Sequence, residues 1–148
     1  MHLTAVSLSL LATLFAPTAL GAATATTVSV SFDQAYDNPD TSLTTVACSD
    51  GSNGMLAKGY TTFGSLPSFP NIGGAPAGVV AGWNSAACGT CWALSYNGRS
   101  VNVLAVDSAV DGWNIGLGAM NELTGGQARQ LGRVDGVASL VDGAECGM

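Results

Sequence analysis

Ala87-Cys88-Gly89-Thr90-Cys91-Trp92 carries two of the chain's four cysteines, with two residues between them. Three roles compete for such a pair: a redox-active dithiol, half of a zinc site, or an anchor for structural disulfides. A thioredoxin-like dithiol follows a strand and opens a helix. Here Gly82-Trp83-Asn84-Ser85-Ala86, on the N-terminal side, does not read as a strand. On the other side, Trp92-Ala93-Leu94-Ser95-Tyr96 alternates large and small residues in the manner of a β-strand. Residues three apart on a strand point to opposite faces, so Cys88 and Cys91 reach for different partners. That favours crossed bridges to Cys48 and Cys146 and leaves open which goes where. Each would close a loop of roughly 40–60 residues, worth about 4 kcal/mol if the bridge acts by restricting the unfolded chain.

Working outward, Asn97-Gly98 lies between the strand after Cys91 and Ser100-Val101-Asn102-Val103-Leu104-Ala105-Val106. Asn-Gly between two strand-like runs is a strong hairpin signal. Upstream, Val28 to Phe32 alternates and reads as a first strand, and Leu43 to Cys48 as a second. Gly51 to Lys58 has room for one helical turn, Tyr60 to Pro70 reads as extended, and Asn71-Ile72-Gly73-Gly74 as a glycine-rich bend. Downstream, Leu117, Met120 and Leu123 have helical spacing that ends at Gly125-Gly126, and Val137 to Val141 reads as a closing strand. Short strands, few helices and many glycines predict a mainly β, single-domain small barrel.

The chain begins with a mostly apolar run, Leu3 to Phe15, then Pro17 and the small residues Ala19-Leu20-Gly21-Ala22-Ala23. This is the pattern of a secretory signal peptide over residues 1–23, with cleavage between about 19 and 25. The run is shorter than the ~20 residues a spanning helix needs, so no membrane span is expected. Residues 24–148 then form one domain, secreted to the cell exterior or wall. Its formal charge is −6 for the whole chain, and Lys58, Arg99, Arg129 and Arg133 form no cluster. Nucleic acid is therefore an unlikely partner. The only histidine, His2, leaves with the leader. No imidazole remains for a histidine-dependent triad or a zinc or copper site, and neither metal nor cofactor is expected. No Asn-x-Ser/Thr sequon is present.

Several fragments, in order and spread over nearly the whole chain after Val28, resemble one family. They are Val28-Ser29-Val30-Ser31-Phe32-Asp33, Val46-Ala47-Cys48-Ser49, Phe69-Pro70-Asn71-Ile72-Gly73-Gly74, Ala81-Gly82-Trp83-Asn84, Cys88-Gly89-Thr90-Cys91-Trp92, Val106-Asp107-Ser108 and Gly132-Arg133-Val134-Asp135. The chain resembles the cerato-platanins, secreted fungal proteins with a six-stranded double-ψ β-barrel like that of expansins. The resemblance implies short helices and two disulfides, Cys48–Cys88 and Cys91–Cys146. It also implies binding of chitin oligomers, loosening of cellulosic material without clear hydrolysis, and perception by host immune systems as elicitor or allergen. The sequence departs from the family at Phe32, where Tyr is usual, at Ala109-Val110-Asp111, and at Trp113, where Phe is common.

Val106 to Asn114 ends a strand and runs into a loop, and holds two carboxylates, an amide, a hydroxyl and an indole. Sugar recognition needs this mixture of an apolar face and planar polar groups. The resemblance places Asp107 at an acidic position tied to expansin-like activity and Asn114 in a shallow groove. Ser108, Trp113, Tyr36 and Asp33 complete the expected carbohydrate site, with Tyr36 or Trp113 as the apolar wall; Trp83 and Trp92 read as structural. A competing reading has Asp107 and Ser108 only capping backbone N–H groups in a turn. Three functions are in play. The first is a non-catalytic protein that binds chitin oligomers or other wall polysaccharide and engages a host immune receptor. The second is an inverting glycosidase with Asp107 as acid and a base from Asp33, Asp37, Asp40, Asp50 or Asp111. The third is a surface-active coat protein, which the apolar, charge-poor composition permits.

Overall fold

In the computed structural model, which describes residues 25–148, six strands close into one barrel. They are β1 (Thr26–Phe32), β2 (Ile72–Pro76), β3 (Cys91–Tyr96), β4 (Arg99–Ala109), β5 (Trp113–Ile115) and β6 (Arg133–Val141), in the spatial order β1-β5-β2-β4-β3-β6. Two helices, α1 (Leu117–Thr124) and α2 (Ala128–Leu131), lie between β5 and β6. The pairings of β1 with β5 and of β2 with β4 are parallel and the others antiparallel, the double-ψ arrangement. The signal-peptide reading falls outside the described residues. Among them, no helix is long and apolar enough to cross a membrane.

The β3–β4 hairpin forms as its turn dictates. Asn97 and Gly98 both take positive φ, 47° and 78°, as the turn that matches strand twist requires. On β4, Val101, Val103, Leu104, Ala105 and Val106 are all buried, making it the central strand of the core. Helix α1 buries Met120 and Leu123 and ends at Gly125 in the left-handed region, as its spacing predicts. On β6 the charged Arg133 and Asp135 alternate outward with buried Val134. That extends the strand four residues upstream of the expected Val137 start.

Four local expectations fail, each for a physical reason. Leu43 to Cys48 is not a strand but a 3₁₀ turn at Leu43–Thr45, because hydroxyls capture the backbone. Ser42 Oγ accepts from Thr44 N at 3.2 Å, and Thr45 Oγ1 donates to the Ser42 carbonyl at 2.7 Å. Within Tyr60 to Pro70, read as extended, Thr62 and Ser65 form a capping box around a second 3₁₀ turn, Phe63–Ser65. Asn71 to Gly74 is not a bend, since all but Asn71 belong to β2. An added Cβ on Gly73 would sit 2.5 Å from the Asn114 carbonyl, so glycine there lets β5 lie close against β2. Finally, Trp113 to Ile115, expected as loop, is the short strand β5 wedged between β1 and β2.

Both disulfides of the resemblance are present, Cys48–Cys88 and Cys91–Cys146, spanning 40 and 55 residues. Cys91 opens β3, whereas Cys88 sits in the preceding turn. All four sulfurs belong to buried residues. Non-reducing peptide mapping is expected to return these two bridges. The double variant Cys91→Ala/Cys146→Ala should lose about 4 kcal/mol in denaturant unfolding, the loop-entropy value for 55 residues. A loss below ~1 kcal/mol would show that this bridge does not act by restricting the unfolded chain.

Candidate functional site

Strand register lines up one row of residues across five strands. Ser31 of β1 pairs with Arg133 of β6 on one side and with Asn114 of β5 on the other. Asn114 pairs with Gly74 of β2, and Gly74 with Asp107 of β4. The row therefore reads Arg133–Ser31–Asn114–Gly74–Asp107. With strands ~4.8 Å apart, it extends for roughly 19 Å. Its β6-β1-β5 neighbour row, Val134–Val30–Trp113, is buried, as period-two alternation demands.

A register shift puts Asp107 into the row. Gly73 pairs with Ala105 but Gly74 with Asp107, so β4 bulges at Val106. Val106 then fills the core and the next residue turns outward, a re-aiming typical of bulges. The Asp107 carboxylate is heavily bonded. Oδ1 accepts from Ala47 N at 2.9 Å and Ser108 N at 2.8 Å; Oδ2 accepts from the Tyr36 hydroxyl at 3.1 Å. Gly74 makes room for that hydroxyl, since a Cβ there would stand 3.1 Å from it. Burial, first, and then the charge and hydrogen bond of Asp107 push the Tyr36 phenol well above its ordinary pKa.

The open part of the row is a shallow groove lined by Ser31, Ser108, Ala109, Val110, Asp111, Asn114 and Arg133. Its volume, about 390 Å³, is at the small end for ligand sites. Asn114 Oδ1 accepts from Ser31 Oγ at 3.2 Å, which leaves its amide N–H donors for a ligand. Arg133 is steadied by donating to Ser29 Oγ at 2.8 Å. Ser108 Oγ donates to the Val80 carbonyl at 2.6 Å, while Val110 is 88 % exposed at the β4–β5 tip. Among the described residues no three of His, Cys, Asp and Glu come close enough to share a metal ion.

The expected residues therefore divide. Asn114 and Ser108 line the groove; Asp107 stands at its end and acts as the turn cap of the competing reading, with Tyr36 as a further partner. Trp113 is not an apolar wall: it is 0 % exposed and packs against Trp92 with ring centroids 5.7 Å apart. Tyr36 is not one either, being 8 % exposed and stacked on Phe63. Asp33 caps the 3₁₀ helix Gln34–Asp37 through Ala35 N at 2.9 Å and does not line the groove. Trp83, read as structural, is 64 % exposed. Sequence reasoning missed Ser31 and Arg133. The signal was there in the alternation of β1 and β6, which sends both outward, but only the register brings them side by side.

The chain belongs to the cerato-platanin family, whose model matches residues 28–148. It is 45 % identical over 143 residues to "Allergen Asp f 15" of Aspergillus fumigatus, an alignment covering 92 % of each chain. Cerato-platanin 3 from M. perniciosa has 47 % identity and a TM-score of 0.78, over 83 % of this chain and 100 % of that one. The solution structure titled "the fungal elicitor Cerato-Platanin" has 43 % identity and a TM-score of 0.72, over 80 % of this chain and 96 % of that one. These relatives are described as an allergen and an elicitor rather than as enzymes.

The burial of Tyr36, and after it the charge and hydrogen bond of Asp107, make stability pH-dependent. With its pKa raised in the folded state, Tyr36 contributes stability that is complete below the unfolded value of 10.0 and declines as pH rises above it. Tyr36→Phe should lose about 1.5–3 kcal/mol at pH 7, the value of a hydrogen bond to a charged group. The gap to wild type should narrow above pH ~10, where only the wild-type unfolded chain gains from ionising this phenol. Melting curves of both proteins between pH 7 and 11 check this; a gap that stays constant removes the linkage.

Proposed function

We propose that this is a secreted, non-catalytic protein that binds a linear cell-wall polysaccharide of the chitin or cellulose type and loosens such material. Its perception as an elicitor or allergen would accompany that activity. The observation that carries the reading is the Arg133–Ser31–Asn114–Gly74–Asp107 row. The shallow, open part of that row suits an extended chain lying across strands better than a compact metabolite in a pocket. Its open part offers a guanidinium, an amide and the Asp111 carboxylate beside apolar Ala109 and Val110. Those groups can donate to and accept from ring hydroxyls while C–H surface rests on the alkyl groups.

Secretion is supported by the leader pattern of residues 1–23 and by two disulfides, which persist in oxidising compartments. The host immune receptor expected from the resemblance would act on this exported protein. The non-catalytic part rests on Asp107. Its backbone partners can only donate, and a phenol held protonated donates as well, so the carboxylate is an acceptor three times over. An acid for glycosidic cleavage would have to give a proton away.

Titration with N-acetylglucosamine and glucose oligomers, followed by amide shifts and calorimetry, should show weak binding centred on the groove. Asn114→Ala should weaken it about fivefold, the equivalent of one neutral hydrogen bond of ~1 kcal/mol. Arg133→Ala should weaken it by at least as much, and no reducing ends should be released. Wild-type affinity in both folded variants sinks the groove. Steady release of reducing ends that vanishes in Asp111→Asn establishes the glycosidase instead.

A further inference from the structure

Trp83 stands out among the three tryptophans. Trp113 is buried and Trp92 half-buried, whereas Trp83 is 64 % exposed. Its ring is nonetheless fixed. Nε1–H donates to Asp50 Oδ1 at 2.6 Å. Beneath the ring lies Gly51 at φ +82°, where an added Cβ would meet Asn84 Oδ1 at 2.6 Å and Trp83 Cζ2 at 3.1 Å. Asn84 holds a left-handed backbone, φ 55°, and its two oxygens accept from the main-chain and side-chain nitrogens of Asn53 at 2.9 and 3.1 Å. The Cys48–Cys88 bridge ties the two loops together. A large apolar surface left wet yet locked in place loses little freedom when something covers it.

The two loops are also the ones that the site residues hold. Asp107 Oδ1 holds Ala47 N, and Ser108 Oγ holds the Val80 carbonyl. Asp50 lies three residues beyond Ala47, and Trp83 three beyond Val80. Three residues span at most about 11 Å, so Asp50 and Trp83 are tethered within that length of chain to the two bonds at the Asp107 end of the row. The surroundings narrow the choice of occupant. With its N–H spent on Asp50, the indole offers an apolar face bordered by a carboxylate and amides. A bilayer surface favours interfacial aromatics with cationic flanks, whereas this chain carries a formal −6. A neutral ring with one C–H face and hydroxyls at its edge fits both features. Above all through this indole bond, the Asp50 carboxyl is held below its ordinary pKa, so the acceptor is charged at neutral pH.

We propose that Trp83, positioned by Asp50, is a stacking subsite for a pyranose ring of the polysaccharide that lies along the row. The inference rests on the carbohydrate reading above and extends it past Asp107. Hexamers of β-1,4-linked N-acetylglucosamine and of glucose are the probes, read by calorimetry and by tryptophan emission. Trp83→Ala should weaken the preferred hexamer roughly tenfold, as loss of one buried aromatic face predicts, and abolish the emission shift. Trp83→Phe should recover most of the affinity. Asp50→Ala should fall between, and Asp50→Asn, which keeps the acceptor, should match wild type.

Unchanged hexamer affinity in Trp83→Ala, beside a weakened Asn114→Ala, rejects the platform and leaves the groove standing. The reverse pattern keeps the platform and removes the groove. Self-association or vesicle binding that is lost in Trp83→Ala, with sugar affinity intact, overturns the proposal in favour of a second copy or a lipid surface. A wild-type protein that binds neither hexamer overturns both readings.

Discussion

One carboxylate joins the parts of this molecule that carry its surface chemistry. Asp107 receives hydrogen bonds from Tyr36, Ala47 and Ser108, which belong to a 3₁₀ helix, a disulfide-bearing loop and its own strand. Each partner would otherwise be a half-buried donor in need of an acceptor, and leaving one unsatisfied costs about 1–3 kcal/mol. Because one side chain satisfies all three, the loops around it cannot drift independently. Tyr36 in turn brings its helix against Phe63, and Asp37 of that helix accepts from the first two N–H groups of α1, at 2.6 and 2.9 Å. A helix cap supplied from 80 residues away ties α1 to the same end of the barrel.

The barrel prepares this arrangement through small backbone departures, not through charge. A strictly regular β4 would have aimed Val106 outward and Asp107 into the core. The bulge reverses both, satisfying an apolar and a charged residue in a single step. Gly74 completes the change, since any side chain there would crowd the phenol that reaches Asp107. A chain with four strong bases and ten acids cannot build recognition from dense ion pairs. Its groove sets a single guanidinium and a single carboxylate among amide, hydroxyl and alkyl groups.

Much of the fold was legible because its signals are local. The alternation after Cys91, the Asn97-Gly98 turn and the Leu117–Met120–Leu123 spacing each depend on neighbours a few residues away. What failed depended on distant partners. Gly73-Gly74 reads as a bend until β5 is known to pack on it, and Leu43 to Cys48 reads as a strand until its hydroxyls are seen to bind the backbone. The candidate site shows the same division. Asn114 and Ser108 came from a contiguous stretch and line the groove, whereas Arg133 and Ser31 join it only through pairing register. Trp83 and Trp113 could not be placed by residue type, which says nothing about facing. Trp113, on a strand with Ile115 one period away, faces inward; Trp83, in a loop closed by a disulfide, stays at the surface.

The fate of the carboxylates bears on why such a barrel would bind sugar without cutting it. Inverting hydrolysis needs two of them, one able to give a proton and one free to take a proton from water, about 6.5–9.5 Å apart. Here Asp33 caps its own 3₁₀ helix, Asp37 caps α1, Asp50 holds the Trp83 indole and Asp107 holds three donors. Asp40 lies outside the groove, so Asp111 is the carboxylate that lines it. A carboxylate oxygen that already accepts from a backbone or side-chain donor is engaged as a structural acceptor. Each acid that fixes a loop has its oxygens committed to that loop, and the groups that hold the groove and the indole in place are of the kind that hydrolysis would require. On this fold, at this surface, building a firm binding face and keeping a free acid–base pair draw on the same few residues.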